Sequence, residues 1–373
     1  MGSCIKGQAI TGMPIDPAKP FDLLFTVDPH WADLRLDLYL KRMMPAISRV
    51  RLQRYIREGR VEVNGKARPA NWRVRLGDHV LLRCREPAEG ADAGRHIPLH
   101  ILYEDDDIVA VNKQAGLVVH PVGLHRHDTL MNAIYWRYRD ILPESQAISL
   151  VNRLDQFTSG IVLVAKNTAA KQALQEQFEA RQPRKTYLAL CVGWPDAERG
   201  EIDLPLGPAL SRKHRCQMGV RYDGAGKPSH TSYEVIERCR GIWATAEESK
   251  TEGEGGEARF SLVRLTPHTG RTHQLRVHMA AIDHPLAADD RYGDGCALCL
   301  TLTGEPEVIL ERYALHAAEI SFRHPRSQQP ITIAAPLAED IAQAVSYLQR
   351  GAVCSRLALR RHQANNELRS ARR

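Results

Sequence analysis

The stretch from Val151 to Asn167, VNRLDQFTSGIVLVAKN, holds the side chains best placed to do chemistry. Arg153, Leu154 and Asp155 stand just before Thr158-Ser159-Gly160, which lead into an apolar run with the character of a buried strand. A carboxylate held in a loop beside a rigid strand, with an arginine two positions earlier, suits acid/base or nucleophilic work. The same residues also describe an ordinary loop aspartate that caps a turn with Thr158 or Ser159. Composition alone leaves these two readings even. The cysteines offer less. Cys296 and Cys299 form one C-x-x-C among eight cysteines, with no second pair at zinc-ribbon spacing and no strand-to-helix junction. Incidental thiols in a reducing, cytoplasmic compartment are expected.

A loop of this kind has to be positioned, and the surrounding pattern says by what. Ile108 to Asn112, Ile161 to Ala165, Tyr187 to Val192 and Phe260 to Leu265 read as strands. Thr168 is expected to cap a helix running through Leu174 and Phe178, and Leu275, Met279 and Ile282 form the apolar stripe of another. Few helices among many strands indicate an α+β fold with a mostly antiparallel, mixed sheet. At 373 residues two or more folded units are expected, and no run approaches the ~20 apolar residues of a membrane helix.

Charge is concentrated rather than spread. Between Arg35 and Arg85 stand 14 Lys/Arg and 4 Asp/Glu, a local net of +10 in a chain whose total is +7. Such packing of positive charge is an electrostatic footprint for nucleic acid, although a solvated basic face has the same composition. Leu36, Leu40, Met43 and Ile47 follow helical spacing. Ser48 can cap a second helix that carries Leu52 and Ile56 inward, with Gly59 ending it. Arg51, Arg54 and Arg57 cluster on one side of that helix. A strand with Val61 and Val63, an Asn64-Gly65 turn and a strand with Val80 and Leu82 complete the module. It resembles the small S-four-like RNA-binding domain over Leu34 to Arg85, on L-D-x-x-L at Leu36 to Leu40, Ser48-Arg49, Gly59-Arg60-Val61 and Val63-Asn64-Gly65. Arg49, Arg51, Arg54, Arg57 and Lys66 are its candidate RNA contacts. Expected boundaries are a poorly ordered leader at 1–33, this domain at 34–86, a Pro/Gly/Ala-rich linker at 87–97, a catalytic domain at 98–338, and a C-terminal helix with a basic tail at 339–373.

The remainder resembles the RluA-type family of RNA pseudouridine synthases. The family signature R-L-D-x-x-T-S-G is complete at Arg153 to Gly160. Tyr103 to Pro121, Arg184 to Ala189 and Pro267 to His278 are similar to further family blocks in the same order. Arg291-Tyr292-Gly293, Leu315-His316-Ala317 and Phe322 to Pro325 continue the series. Two positions depart from the family pattern: Asn152 stands where histidine is usual, and Gln114 where proline is usual. Glu247 to Glu257 and Asp294 to Glu311 read as insertions, the first as a disordered acidic loop.

The resemblance implies roles. Asp155 takes the place of the catalytic aspartate, which adds to the ribose anomeric carbon or removes a sugar proton. Arg276 falls where an arginine pairs with that aspartate and keeps it charged and aimed, with Arg271 as second choice. Tyr187 matches the tyrosine that packs on the target base. Arg153 resembles the residue that fills the gap when the uridine leaves its stack, since the glycosidic bond is shielded inside a helix. Large-subunit ribosomal RNA is the implied substrate ahead of transfer RNA, with no obligate protein partner and no cofactor, because the reaction is an isomerisation. His268, His273 and His278 do not share one helical face at their spacing of five, so packing or RNA contact is expected and no metal. An RNA-assembly factor without turnover and an aspartate-dependent glycosidase are the competing readings. The first would have lost Asp155, Tyr187 or Arg276. The second has no use for the basic module.

Overall fold

The computed structural model describes residues 5–6, 22–44, 49–83, 97–121, 125, 128–139, 148–210, 217–244, 256–304 and 307–358. The expected linker up to residue 96, most of the acidic loop and the end of the basic tail lie outside these residues, as do Ile47, Ser48 and the side chain of Arg51. The chain divides into two compact units, Met1–Ala91 and Asp92–Arg373, so the boundary falls in the Pro/Gly/Ala-rich stretch.

In the first unit the helices Leu36–Met43 and Arg49–Arg57 bury Leu36, Tyr39, Leu40, Leu52 and Ile56 against Val61, Val63, Val80 and Leu82 of a small sheet. Apolar residues three and four apart put this stripe on one helical face. Asn64 and Gly65 both take left-handed backbone, φ 51° and 74°, as a tight hairpin after Val61–Val63 requires. Asp22–Thr26 pairs antiparallel with His79–Arg83, so part of the segment that reads as a leader contributes a strand. Asp37 is fully buried. Burial opposes its ionisation, yet hydrogen bonds from Gln53, Arg35 and Arg49 hold its carboxyl below the usual range. The Arg49 guanidinium therefore ties the two helices together.

The second unit is built on one long mixed sheet. Its central order is Val308–Leu310, Cys296–Thr301, Val353–Ala358, His230–Trp243, Gly256–Pro267, Arg184–Val192, Leu315–Arg323, Ser159–Ala165, Ile108–Lys113 and His100–Glu104. Neighbours run antiparallel except where Val353–Ala358 meets His230–Trp243 and where Leu315–Arg323 meets Ser159–Ala165. Alternation along the central strands separates two cores. Val109, Val111, Val162 and Val164 face the helix Leu130–Tyr138, while Ile108, Ala110, Ile161 and Leu163 face the helix Thr168–Glu179. Asn167 caps the latter helix by accepting from Ala170 N, the place expected of Thr168. The helix Glu339–Gln349 covers another part of the sheet through Ile341, Ala344, Val345 and Leu348. Beyond it the chain returns as the strand Val353–Ala358, so the expected helix and tail include a further sheet strand. Cys296 and Cys299 sit on a strand with free thiols, and burial pushes both thiols up.

Gly160 marks the closest approach in this sheet. It is the second residue of the strand Ser159–Ala165, has φ 107° and pairs in parallel with Ala317. A methyl group there would come within 2.6 Å of Ala317 N and closer still to its carbonyl oxygen. Gly160→Ala is expected to cost on the order of 3 kcal/mol through backbone strain and overpacking. Urea unfolding checks this, and an unchanged midpoint would contradict the close approach.

Candidate active site

Asp155 lies in the loop ahead of Ser159–Ala165, its carbonyl accepting from Thr158 N at 3.1 Å, so the loop folds back as a turn. The carboxylate remains partly open to solvent and has the His273 imidazole beside it, Nε2 to Oδ2 3.9 Å. Nδ1 of His273 meets the Tyr292 hydroxyl at 2.7 Å, and that hydroxyl accepts from Met218 N. If Tyr292 donates to Nδ1, the neutral imidazole carries its proton on Nε2, which faces Asp155 from beyond direct hydrogen-bond distance. Burial holds His273 below its usual range despite the opposing pull of Asp155, and the Arg276 and Arg291 charges add to the lowering. His273 is therefore neutral near pH 7. Its backbone is left-handed, φ 56°, where the helix Gln274–Ala281 begins.

Lys113 and Arg312 fix the loop from beneath. Lys113 is fully buried and donates to the carbonyls of Gln114, Leu117 and Gln156, which ties the loop after Ile108–Lys113 to the residue following Asp155. Burial and the Arg312 charge push Lys113 down to about 7, with Asp155 pulling the other way. Arg312 donates to Phe157 O at 3.0 Å and to Ser159 Oγ at 3.1 Å. Its other edge forms a bidentate pair with Asp340 at 2.7 and 2.8 Å. Ser159 Oγ also meets Nδ1 of His316, whose imidazole burial lowers to about 4. Thr158 and Ser159 are thus spent on the scaffold, and the Asp155 carboxylate is left for other work.

Tyr187 stands opposite Leu265 and Ala317 on the central strand, packed on the same side of the sheet as Val109 and Val164. Burial first, then the negative charge of Asp155, push its phenol well above the usual range, so it stays protonated at neutral pH. Tyr313 is buried nearby and pushed up to about 12 by burial and Asp155. Asn152, which replaces the expected histidine, gives its amide to Ile161 O and accepts from Leu163 N, pairing with the strand edge.

Arg276 behaves differently from the expectation. Its guanidinium is buried and forms a bidentate pair with Asp289 at 2.7 and 2.6 Å, plus a bond to Asp290 at 3.1 Å. It lies 3.7 Å from the Tyr313 ring centroid and acts on Asp155 through its field rather than by contact. Arg271 points elsewhere, donating to Pro228 O. Arg153 is exposed beside His120, whose pKa is lowered by burial and by the Arg153 charge. The three histidines of the arginine block diverge: His268 meets Ser232, His273 faces Asp155, and His278 bonds Thr231 and Leu204 O. Among the described residues two groups bring possible metal-ligand atoms together, Glu201/His230/His268 and Asp105/Asp107/His324. Both are closed by internal bonds, Glu201 with His230 and Ser232, and the two aspartates with His324, Arg326 and Asn167.

In the first unit, Arg54, Arg57 and Lys66 are exposed, with Arg54 loosely paired to Glu58. The sequence does not single out Asp289, Arg312 or Tyr313, and it marks His273 for packing or RNA contact rather than for a place beside Asp155. Nothing in local spacing joins Arg312 to Asp340 or to Ser159.

The model of the family described as RNA pseudouridylate synthase matches residues 107–281, and that of the S4 domain matches residues 34–80. A Chlorobaculum parvum protein named an uncharacterized RNA pseudouridine synthase is 38% identical over 320 residues, covering 83% of this chain and 92% of its own. Ribosomal large subunit pseudouridine synthase D of Nitrosomonas europaea is 35% identical, covering 88% of this chain and 89% of its own. Among solved structures, human RNA pseudouridylate synthase domain containing 4 shares the fold at TM-score 0.50, with 21% identity over 70% of this chain and 97% of its own.

Proposed function

The chain belongs to the RNA pseudouridylate synthase family and carries an N-terminal S4 domain, and from that premise we propose that it isomerises uridines of large-subunit ribosomal RNA with Asp155 as the catalytic carboxylate. The observation that carries this reading is the setting of Asp155. It is an accessible carboxylate whose loop is clamped by Lys113 and Arg312, with a protonated tyrosine, a neutral imidazole 3.9 Å away and the field of Arg276 around it. The choice of RNA follows relatives whose names specify the ribosomal large subunit. The cytoplasm is the matching compartment, and no described helix is long and apolar enough to cross a membrane.

The uridine leaves its stack and Arg153, exposed beside the loop, takes the vacated space. Asp155 acts at the sugar, adding to the anomeric carbon or taking a ribose proton, while the bond from that carbon to uracil N1 breaks. Positive charge on the ribose is met by the carboxylate, as in glycoside cleavage. Tyr187 packs against the freed ring as it turns. The anomeric carbon then bonds to uracil C5, the C5 proton goes to solvent and N1 gains a proton, so no atom is gained or lost overall. The His273 imidazole stands beside the carboxylate, Nε2 to Oδ2 3.9 Å, beyond direct hydrogen-bond distance.

Loss of the C5 proton gives the direct test. Large-subunit ribosomal RNA transcripts carrying tritium at uracil C5 are expected to release it to water in step with pseudouridine formation, and transfer RNA transcripts are not. Release from transfer RNA alone would overturn the substrate assignment.

In the first unit, Arg54, Arg57 and Lys66 hold phosphates in this reading, whereas Arg49 orders the helices through Asp37. The triple alanine variant is expected to lower the slope of log affinity against log salt by about 2, since each phosphate contact contributes roughly 0.7–0.9. Filter binding over a salt series measures it, and an unchanged slope removes these residues from the interface.

A further inference from the structure

We propose that a cavity on the side of the sheet opposite Tyr187 is a second RNA contact, a seat for backbone phosphates near the target uridine. The inference rests on the reading of RNA as substrate. The cavity holds about 850 Å³ and is lined by Arg181, Arg184, Lys185 and Arg271, with Glu179 as its carboxylate. Its face follows from the alternation of the central strands. Phe178, which lines it, packs with Ile108, Ala110, Ile161 and Leu163, whereas Tyr187 packs with Val109, Val111, Val162 and Val164. The cavity is therefore separate from the Asp155 pocket.

The pairing of charges marks it as an anion site. Elsewhere in this unit surface arginines such as Arg199, Arg238, Arg264 and Arg326 are matched to carboxylates. Among the described residues, none of the four cations around the cavity has a carboxylate within ion-pair distance. Glu179 and the C-terminal end of its helix offset part of this charge, but four cations remain against them. Burial lowers the Lys185 ammonium from its usual value with no anion to oppose the shift. A phosphodiester supplies the missing charge and acceptor oxygens, and arginine forks match it.

The cavity's place beside the catalytic turn points to RNA rather than a free anion. Pro267 to Arg271 form one wall, and two residues later His273 faces Asp155 on the other side. Gln274 makes this turn rigid, its buried amide accepting from Thr269 Oγ1 and Arg271 N and donating to His230 O and Thr231 Oγ1. A strand of RNA crossing the turn reaches both sites at once.

The test uses the full chain with Arg181→Ala/Arg184→Ala and, separately, Lys185→Met, on an unmodified large-subunit ribosomal RNA transcript. Affinity of the double variant is expected to fall roughly tenfold or more at physiological salt, and its salt slope by about 1.5, as for two lost phosphate contacts. KM for tritium release should rise in parallel, with kcat within about threefold of the parent, because uniform binding rather than transition-state binding is lost. Lys185→Met is expected to weaken affinity in the same direction. Unchanged affinity and salt slope in both variants would overturn the proposal. If the double variant melts well below the parent, Arg181→Gln/Arg184→Gln decides by the same two readings. Binding is measured without turnover, so failure of the parent to form pseudouridine would sink the proposed function while the affinity loss still supports the cavity.

Discussion

Replacing Asp155 with asparagine is expected to abolish pseudouridine formation while leaving the fold and RNA affinity in place. The substitution keeps the side chain's shape and removes the charge that acts at the ribose. Loss of a residue in the covalent or proton-transfer step costs about 10⁴-fold or more in enzymes that depend on one. The structure explains why little else should change. Asp155 is partly exposed, its close neighbour His273 sits at 3.9 Å, and the loop is held through the Gln156 and Phe157 carbonyls and Ser159 Oγ rather than through the carboxylate. Tritium release and a melting curve on the same preparation separate the two effects. A variant that melts normally and retains a tenth of parent activity would remove Asp155 from the chemistry.

The second large effect is expected at Arg276. Changing it to alanine leaves Asp289, which is completely buried, without its bidentate partner. Orphaning one member of a buried pair costs about 3–5 kcal/mol, so this variant should melt far below the parent. Arg276→Lys keeps the positive charge but loses the planar fork and its stacking on Tyr313. It should fold, with activity reduced by about 10²-fold as the field at Asp155 moves, an effect in the range of lost electrostatic preorganisation. Urea unfolding and tritium release measure both. An Arg276→Ala protein as stable as the parent would contradict the buried pair, and full activity in Arg276→Lys would show that any cation suffices.

The elements that carry the site were legible because their signals are local. Unbroken apolar runs at Ile108 to Asn112 and Ile161 to Ala165 mark strands buried on both faces, and Asn64-Gly65 marks a tight hairpin. The loop from Arg153 to Gly160 stands where the sequence places it, and its glycine is explained by the approach of Ala317. What was not legible depends on contacts between residues far apart in sequence. Spacing and resemblance single out Arg276 but do not reveal that Asp289 takes its guanidinium. Arg312 gathers Phe157, Ser159 and Asp340 from separate elements, a convergence without a sequence period. Asn167 rather than Thr168 caps its helix because neighbouring polar residues compete for one role, and a one-residue difference lies within the reach of either side chain. The strand Val353–Ala358 is short and runs into the arginine-rich end of the chain, so composition reads it as tail.

The most direct measurement of the central claim is pseudouridine mapping, by chemical tagging and sequencing, of total RNA from cells with and without this gene. Cells lacking it would then carry either the intact protein or Asp155→Asn. The account predicts sites in large-subunit ribosomal RNA that vanish with the gene, return with the intact protein and stay absent with the variant. No gene-dependent site, or full restoration by the variant, would contradict it.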